Sequence, residues 1–208
     1  YGAYGNDLIS LAPFFSHYMK NTAFHAPHGI FPCEDNPFGR QWFSLRRSDP
    51  DLLRRNDQTQ EVAFEKMYDE AESVRPELES YILSLMHQYK LTHDKVSLIG
   101  FSQGTMMALH VGLRSAKPFN AIVGFSGALV GAKHLVNDIK SPCPILLVHG
   151  DQDEMLPLHA VELAHESLKK ADIAVETLIR PKLPHSIDQE GAKAGIEFIM
   201  KQTKKAHL

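Results

Sequence analysis

Short apolar runs alternate along the chain with longer amphipathic stretches, and this alternation predicts an α/β protein with a mostly parallel sheet. Continuous apolar runs at residues 96–99, 121–125 and 145–148 are typical of strands that are covered on both faces. Residues 175–179 form a further strand candidate, and residues 22–24 form a short one near the start of the chain. These runs predict a sheet whose strands are separated by helical segments.

The longest amphipathic stretch, residues 60–89, predicts a helix that Pro76 should kink or divide. Beyond that proline, one buried stripe with helical spacing is formed by Leu78, Tyr81, Ile82, Leu85 and Met86. A first helix is predicted to follow Asn6 or Asp7, with Pro13 in its opening turns.

Three more helices are predicted in the second half of the chain. Residues 105–113 are apolar nearly all round, as expected for a helix that is buried against a sheet. Residues 158–170 form the next helix, and residues 188–204 form the last one, with Asp188 as its N-cap candidate.

One irregular segment interrupts this order. Residues 26–58 show little periodicity and contain four prolines, and a stretch that irregular inside a compact domain is often functional. The chain has 208 residues and no internal repeat, which fits one domain. We therefore predict a single domain over residues 1–208 that carries a functional loop at about residues 26–58.

Composition excludes several classes of protein. The chain is 43% hydrophobic and 23% charged, which is ordinary for a folded globular protein and unlike a disordered one. Two cysteines, Cys33 and Cys143, are too few for a disulfide scaffold and fit a reducing, cytoplasmic setting. No apolar run is long enough to span a membrane, and a net charge of −3 argues against a nucleic-acid binder.

The motif Gly-x-Ser-x-Gly occupies residues 100–104 between a predicted strand and a predicted helix. The pentapeptide alone is a weak signal, but it requires a strand before it and a helix after it. A serine on such a sharp turn has an exposed, strained position, and small residues are expected at Gly100 and Gly104 where the chain reverses. Ser102 is thus a candidate nucleophile, and the N–H of Gln103 is a candidate oxyanion donor. The alternative is a glycine-rich turn with a solvated serine.

A serine nucleophile needs a base, and in this architecture the order along the chain is serine, acid, histidine. His185 is the best candidate because it lies in the loop between the last strand and the last helix, where ligands gather in open α/β sheets. The other downstream histidines lie in predicted helices, at a strand end, ahead of any candidate acid or in the tail: His110, His159, His165, His149, His134 and His207.

The acid is expected in the loop that follows the strand at residues 145–148. Asp151, Asp153 and Glu154 all satisfy that position, and their spacing does not separate them. Each could instead be an ordinary loop or cap carboxylate.

Several segments together resemble the phospholipase/carboxylesterase family of α/β-hydrolases, which includes the acyl-protein thioesterases. The matching segments are Gly100-Phe101-Ser102-Gln103-Gly104, His149-Gly150-Asp151-Gln152-Asp153 with Pro157, Pro184-His185, Gly39-Arg40-Gln41-Trp42-Phe43 and the opening Tyr1-Gly2-Ala3-Tyr4-Gly5-Asn6-Asp7. The resemblance covers nearly the whole chain and implies an α/β-hydrolase fold, with helices on both faces of a mostly parallel sheet. It also implies that Asp153 is the catalytic acid and that Asp151 is structural.

The same resemblance implies further roles. Trp42 and Phe43 would flank an acyl groove, and Met155 and Leu156 would lie near the acid. These four residues are the expected substrate-binding residues. Tyr1 would supply the second oxyanion N–H. The family places a hydrophobic strand ahead of the segment that begins at Tyr1, so we expect that strand to be absent from the printed chain. A signal peptide upstream is compatible with the lack of an initiator methionine.

We therefore expect a serine hydrolase that cleaves carboxylic esters or thioesters through an acyl-enzyme, with no cofactor. His25 and His28 have a spacing that could suggest a metal, but no third ligand is nearby, so no metal is expected. The alternatives are a catalytically inactive binding module on the same fold and a dienelactone hydrolase-like enzyme, although the latter prefers a cysteine nucleophile. Lysophospholipids, acylated proteins and small esters all remain possible substrates, and the oligomeric state is left open.

Overall fold

The strands of the computed structural model, which describes residues 1–48 and 57–205, form two separate sheets. A small antiparallel pair joins β1 (Phe31–Pro32) to β2 (Arg40–Gln41). The larger sheet is parallel, and its strands lie in the order β3 (Ser97–Phe101), β4 (Ala121–Phe125), β5 (Ile145–Gly150) and β6 (Val175–Arg180). Because these strands run in one direction, the loops at their carboxyl ends meet at one edge of the sheet.

The helices before β3 differ in two places from the sequence prediction. The first predicted helix is divided into α1 (Gly5–Ile9) and α2 (Ala12–Tyr18), with Pro13 in the opening turn of α2. The predicted helix over residues 60–89 is divided into α3 (Asp57–Lys66) and α4 (Tyr68–Tyr89). The division falls at Met67 and not at Pro76, through which α4 continues.

The position of that break follows from packing. Met67 has no exposed surface, and it joins one core cluster with residues from both flanking helices, such as Phe64 and Ala71. A bend at Met67 lets the apolar faces of α3 and α4 reach the same core. Pro76 costs α4 one backbone hydrogen bond, which a helix held by tertiary packing can tolerate.

The later helices cover both faces of the large sheet, which confirms the expected α/β architecture. They are α5 (Gln103–Arg114), α6 (Leu135–Asp138), α7 (Leu158–Lys170) and α8 (Gln189–Lys205). On one face, Leu109 of α5 shares a core cluster with Ile122 of β4 and with residues of α7. On the other face, Phe198 of α8 packs in a cluster with Val123, the next residue of β4. Successive residues of β4 therefore serve opposite faces, as strand geometry requires.

One strand prediction is wrong. Residues 22–24 form no strand in the structure, although the predicted strands that became β3, β4, β5 and β6 are all confirmed. A strand needs a hydrogen-bonded neighbour, and no described segment pairs with residues 22–24. They line a cavity of about 610 Å³ whose lining also includes all of β3. Within the described chain β3 pairs with β4 alone, so the outer edge of β3 faces this cavity.

None of the helices that the described residues form is both long enough and apolar enough to cross a lipid bilayer.

Candidate active site

Ser102 lies at a sharp turn between the last residue of β3 and the first residue of α5. Its backbone has φ 54° and ψ −120°, a conformation that L-residues rarely adopt and that stores strain. The turn is held in place by the Ser102 N–H, which donates to the carbonyl of Phe125 on β4 at 2.9 Å. The predicted strand–turn–helix context of the serine is therefore present.

The two glycines around the serine differ in what they tolerate. A Cβ atom on Gly100 would lie 2.4 Å from the carbonyl oxygen of Gly104 and 2.5 Å from Cα of Thr105, so this glycine permits the close approach of strand and helix. A Cβ atom on Gly104 would meet no atom within 4 Å. The expectation that both positions must be small is correct for Gly100 and wrong for Gly104, whose Cβ direction points into open space.

Gln103 is the first residue of α5, so its N–H has no acceptor within the helix. The positive end of the helix dipole adds to the attraction of this N–H for an anion. The predicted role of the Gln103 N–H as an oxyanion donor is compatible with this position beside Ser102.

The acid and base candidates meet at the carboxyl edge of the sheet. His185, in the loop after β6, donates Nδ1–H to Oδ2 of Asp153, in the loop after β5, across 2.8 Å. The other carboxylate oxygen of Asp153, Oδ1, accepts the backbone N–H groups of Met155 at 3.0 Å and Leu156 at 2.8 Å. Asp153 is thus buried with both oxygens hydrogen-bonded.

These contacts set the charge of Asp153. Burial by itself would raise the pKa of its carboxyl, but the hydrogen bonds from His185 and from the Leu156 N–H outweigh burial and hold that pKa below its ordinary value. The carboxylate is therefore ionised, and it holds the His185 imidazole with Nδ1 protonated and Nε2 available to accept a proton.

The other two candidate carboxylates do not reach the histidine. Asp151 is exposed and accepts the backbone N–H of Lys182, which ties the loop after β5 to the loop after β6. Glu154 is exposed. Of the three carboxylates that spacing left open, Asp153 is the one that the fold brings to His185.

His185 also lies beside the serine turn. The centroid of its imidazole is 4.8 Å from that of the Phe101 ring, and Phe101 directly precedes Ser102. The fold therefore places Ser102, Asp153 and His185 at one edge of the sheet, after the carboxyl ends of β3, β5 and β6.

A second histidine, His149, lies close to the acid, and the sequence pattern assigns it no role. It is buried at the end of β5, its Nε2 lies 2.7 Å from the carbonyl oxygen of Leu156, and the same nitrogen lies 3.6 Å from Oδ2 of Asp153. Burial lowers its pKa, so the ring is neutral and donates Nε2–H to the carbonyl. Its place in His149-Gly150-Asp151-Gln152-Asp153 was the available signal, because a histidine that ends a buried strand faces the same edge as the acid.

The residues expected to contact substrate differ in their exposure to solvent. Trp42 is half-buried and lines the 610 Å³ cavity, and Met155 is exposed. Phe43 has no exposed surface and Leu156 has 5%, and both belong to the core cluster around α3 and α4. The side chains of Phe43 and Leu156 are thus part of the core, and their contact with substrate stays a prediction, while Leu156 does lie beside the acid, to which its N–H donates.

Tyr1, the expected second oxyanion donor, lies against the β1–β2 pair. Its phenol donates to Asp35 and lies 3.3 Å from Glu34, and the next residue, Gly2, donates its N–H to the carbonyl of Arg40 at 2.9 Å. The oxyanion role of the Tyr1 N–H stays a prediction.

Histidines 25 and 28 each have a protein partner. His25 Nε2 lies 3.1 Å from the hydroxyl of Tyr89, and Nδ1 of His28 accepts the N–H of Gly5 at 2.9 Å. Within residues 1–48 and 57–205, no three His, Cys, Asp or Glu side chains converge on a common point that could hold a metal ion.

Known proteins are similar to this chain in sequence and in fold. The phospholipase/carboxylesterase family model matches residues 1–203. Acyl-protein thioesterase 1 of Gibberella zeae is 27% identical over 194 residues, which cover 88% of this chain and 78% of that protein. The crystal structure of esterase PE8 matches with a TM-score of 0.85 and 36% identity, over 97% of this chain and 88% of that one. Arabidopsis thaliana SOBER1 matches in fold, with a TM-score of 0.76 at 19% identity over 97% and 94% of the two chains. The chain belongs to the phospholipase/carboxylesterase family of α/β-hydrolases.

Proposed function

We propose that this chain is a serine hydrolase that cleaves carboxylic esters or thioesters through an acyl-enzyme on Ser102. The observation that carries the proposal is the 2.8 Å hydrogen bond between His185 Nδ1 and Asp153 Oδ2, at the sheet edge that also holds Ser102. An imidazole oriented in this way keeps Nε2 free to accept the proton of a hydroxyl nucleophile. Membership of a carboxylesterase family and relatives named esterase or thioesterase support the same chemistry.

The proposed reaction has two halves. Ser102 Oγ attacks the acyl carbon while His185 Nε2 accepts the hydroxyl proton, and the negative charge on the carbonyl oxygen is stabilised by the N–H of Gln103. His185 then gives that proton to the leaving alcohol or thiol. Water attacks the acyl-enzyme in the second half, with His185 again as base, and the acid and free Ser102 are released. Asp153 fixes the imidazole tautomer and stabilises its protonated form throughout.

The proposed substrate is a small-molecule or lipid ester or thioester. Trp42 and the apolar cavity that it lines offer surface to an acyl chain, and exposed Met155 lies next to the acid loop. The relatives named thioesterase support an acyl thioester as substrate, and the structural neighbour named esterase supports an ester.

A fluorophosphonate probe tests the proposal, because it labels an activated serine quickly. Wild-type protein is expected to be labelled and to hydrolyse p-nitrophenyl esters, and Ser102→Ala is expected to lose labelling and about 10⁴ to 10⁶ in kcat. Ser73→Ala is the matched control, since Ser73 is a surface serine on α4 whose hydroxyl bonds the carbonyl of Glu70. A folded wild-type protein that is neither labelled nor active would instead indicate a binding module.

A further inference from the structure

The side chain of Gln103 joins two parts of the molecule that are far apart in sequence. Its Oε1 accepts the backbone N–H of Trp42 at 2.8 Å, and its Nε2 donates to the carbonyl of Phe43 at 2.9 Å. Gln103 is 1% exposed; its bond to the Phe43 carbonyl is buried and its bond to the half-buried Trp42 is part-buried. The amide therefore pairs with two consecutive backbone groups of the segment Arg40–Phe43, at the first residue after Ser102.

The rest of this segment is fixed on both sides of the tryptophan. Arg40 donates Nε–H to the carbonyl of Gly29 at 2.8 Å and Nη2–H to the carbonyl of Ile30 at 2.6 Å. Phe43 is anchored in the core with no exposed surface. Trp42 lies between these anchors, half-buried, and lines the cavity. The Gln103 amide is thus the direct link between the Trp42 backbone and the serine turn.

We propose that the Gln103 side chain is a specificity-determining positioning residue: it holds Trp42 at a set distance from Ser102 and thereby decides which acyl chains fit. This inference rests on the proposed function, because it needs Ser102 to be the acylated residue. One residue would then place both the oxyanion N–H and the wall of the acyl site. A shift of Trp42 away from the turn would leave the buried Gln103 amide and the Phe43 carbonyl without their partners, which is costly.

The test uses the fact that Trp42 is the single tryptophan of the chain. Tryptophan fluorescence, with acrylamide as quencher, reports the position of Trp42 directly. Gln103→Met keeps the length of the side chain and removes both hydrogen bonds. We expect this variant to show a red-shifted emission and a quenching constant raised about twofold or more. The ratio of kcat/KM between p-nitrophenyl octanoate and acetate should change about tenfold, because loss of positioning affects long acyl chains most.

Thr105→Val is the matched control. Thr105 is buried two residues further along α5, and its hydroxyl donates to the Phe125 carbonyl at 2.9 Å, not to the segment Arg40–Phe43. This variant loses one buried hydrogen bond of the same helix, yet its Trp42 quenching should match that of wild type.

A second variant, Gln103→Glu, tests rescue: a protonated carboxyl can accept from the Trp42 N–H and donate to the Phe43 carbonyl, and an ionised one cannot donate. Burial at this position raises the pKa of the new carboxyl above its ordinary value, so quenching is expected to be near wild type at pH 5 and raised at pH 8. Wild-type protein is measured at both pH values for comparison.

Two results would overturn the inference. One is a Gln103→Met variant whose quenching constant and whose octanoate-to-acetate ratio of kcat/KM both equal those of wild type. If that variant does not fold, the corresponding result is a quenching constant of Gln103→Glu that does not change with pH. The other is an equal change in Thr105→Val, which would indicate general loosening of α5. Failure of the proposed function gives a different pattern, because the wild-type protein then does not react with fluorophosphonate. In that case Gln103 has no role in acyl specificity. The fluorescence measurements still test whether Gln103 holds Trp42 in position.

Discussion

Two imidazoles face the carboxylate of Asp153, and hydrogen bonding decides which of them can act as a base. His149 must donate Nε2–H to the Leu156 carbonyl, because a carbonyl only accepts, and its Nδ1 is buried without a partner among the described residues. His185 gives Nδ1–H to Asp153 and keeps Nε2 for a substrate proton. His149 instead binds the carbonyl of Leu156, the residue whose N–H donates to Asp153, so it supports the acid from the other side.

The two aspartates of this loop should respond very differently to loss of charge. Asp153→Asn is expected to lower kcat about 10⁴-fold, because an asparagine can hold the imidazole in the wrong tautomer. Asp151→Asn should cost far less in rate, since Asp151 accepts a backbone N–H at the surface. Steady-state kinetics with p-nitrophenyl butyrate on both variants, together with melting curves, measures the contrast. A larger rate loss in Asp151→Asn would contradict the assignment of the acid.

At the scale of elements, the two glycines of the serine motif lie at the junction of β3 and α5 and are expected to respond differently to substitution by alanine. Gly100→Ala should destabilise the protein by about 1–3 kcal/mol or more, because its Cβ overlaps backbone of α5 that cannot move independently. Gly104→Ala should raise the free energy of unfolding by up to about 1 kcal/mol, since it gains helix propensity without a clash. Urea unfolding of the two variants distinguishes them, and equal destabilisation would show that the turn has no room at either position.

The interface of α4 and α5 contains a buried histidine that makes stability depend on pH. His110 Nε2 lies 2.9 Å from Glu72 on α4, and burial, with the charge of Arg114, lowers the pKa of His110 to about 4. In the unfolded chain the pKa of a histidine is about 6.5. Between these values the unfolded chain binds a proton that the folded protein does not, so stability falls as pH drops from about 6.5 towards 4.

The corresponding variant is His110→Gln, which can still donate to Glu72 but does not titrate. The free energy of unfolding should fall less steeply between pH 7 and pH 5 in this variant than in wild type. His87→Gln is the control, because His87 is an exposed histidine of α4, and it should keep the wild-type slope. Urea unfolding at pH 7, 6 and 5 gives the three slopes, and parallel curves for His110→Gln and wild type would refute the prediction.

Local sequence patterns predict correctly the helices and strands that pack against the neighbours their apolar faces require. The apolar run that became β4 and the amphipathic stretch that became α7 have the predicted bounds. Residues 22–24 have strand character but no partner, and the break at Met67 depends on a core that only the folded chain creates. In the site, Ser102 and His185 followed from motif and chain order. The choice of Asp153 needed the family resemblance, and the contacts of Gln103 join residues about 60 positions apart, which spacing cannot predict.

At the scale of the whole molecule, the central strands of the large sheet are buried, whereas β3 at one side has no strand paired with its outer edge among the described residues. β4 and β5 are buried along their full length, whereas β3 has a half-buried pattern and its outer edge faces the cavity. The Ser102 N–H donates to the Phe125 carbonyl of β4, and the Val96 carbonyl accepts the N–H of Asn120, which directly precedes β4. Residues 96, 98, 100 and 102 therefore lie on the paired side. Residues 97, 99 and 101 then direct their backbone groups towards the open edge, because backbone groups alternate along a strand.

Hydrogen exchange should reveal this alternation. The amides of Ile99 and Phe101 are expected to exchange about 100-fold or more faster than those of Leu98 and Gly100, since only the second pair is hydrogen-bonded in the ladder with β4. Exchange measured residue by residue by NMR provides the comparison. Equal protection at all four amides would mean that something pairs with the outer edge of β3 in solution.

The free space beside Gly104 also bears on how this enzyme family can diversify. Gly104 lines the same cavity as Trp42, and its φ is outside the left-handed region, so any L-residue can adopt its backbone conformation. A side chain acquired there would project into that cavity from the helix that begins beside the nucleophile. Under the proposed function, random replacement at position 104 is therefore an economical starting library for altering the range of acyl groups, because a single codon can change the shape of that cavity while the serine turn stays intact.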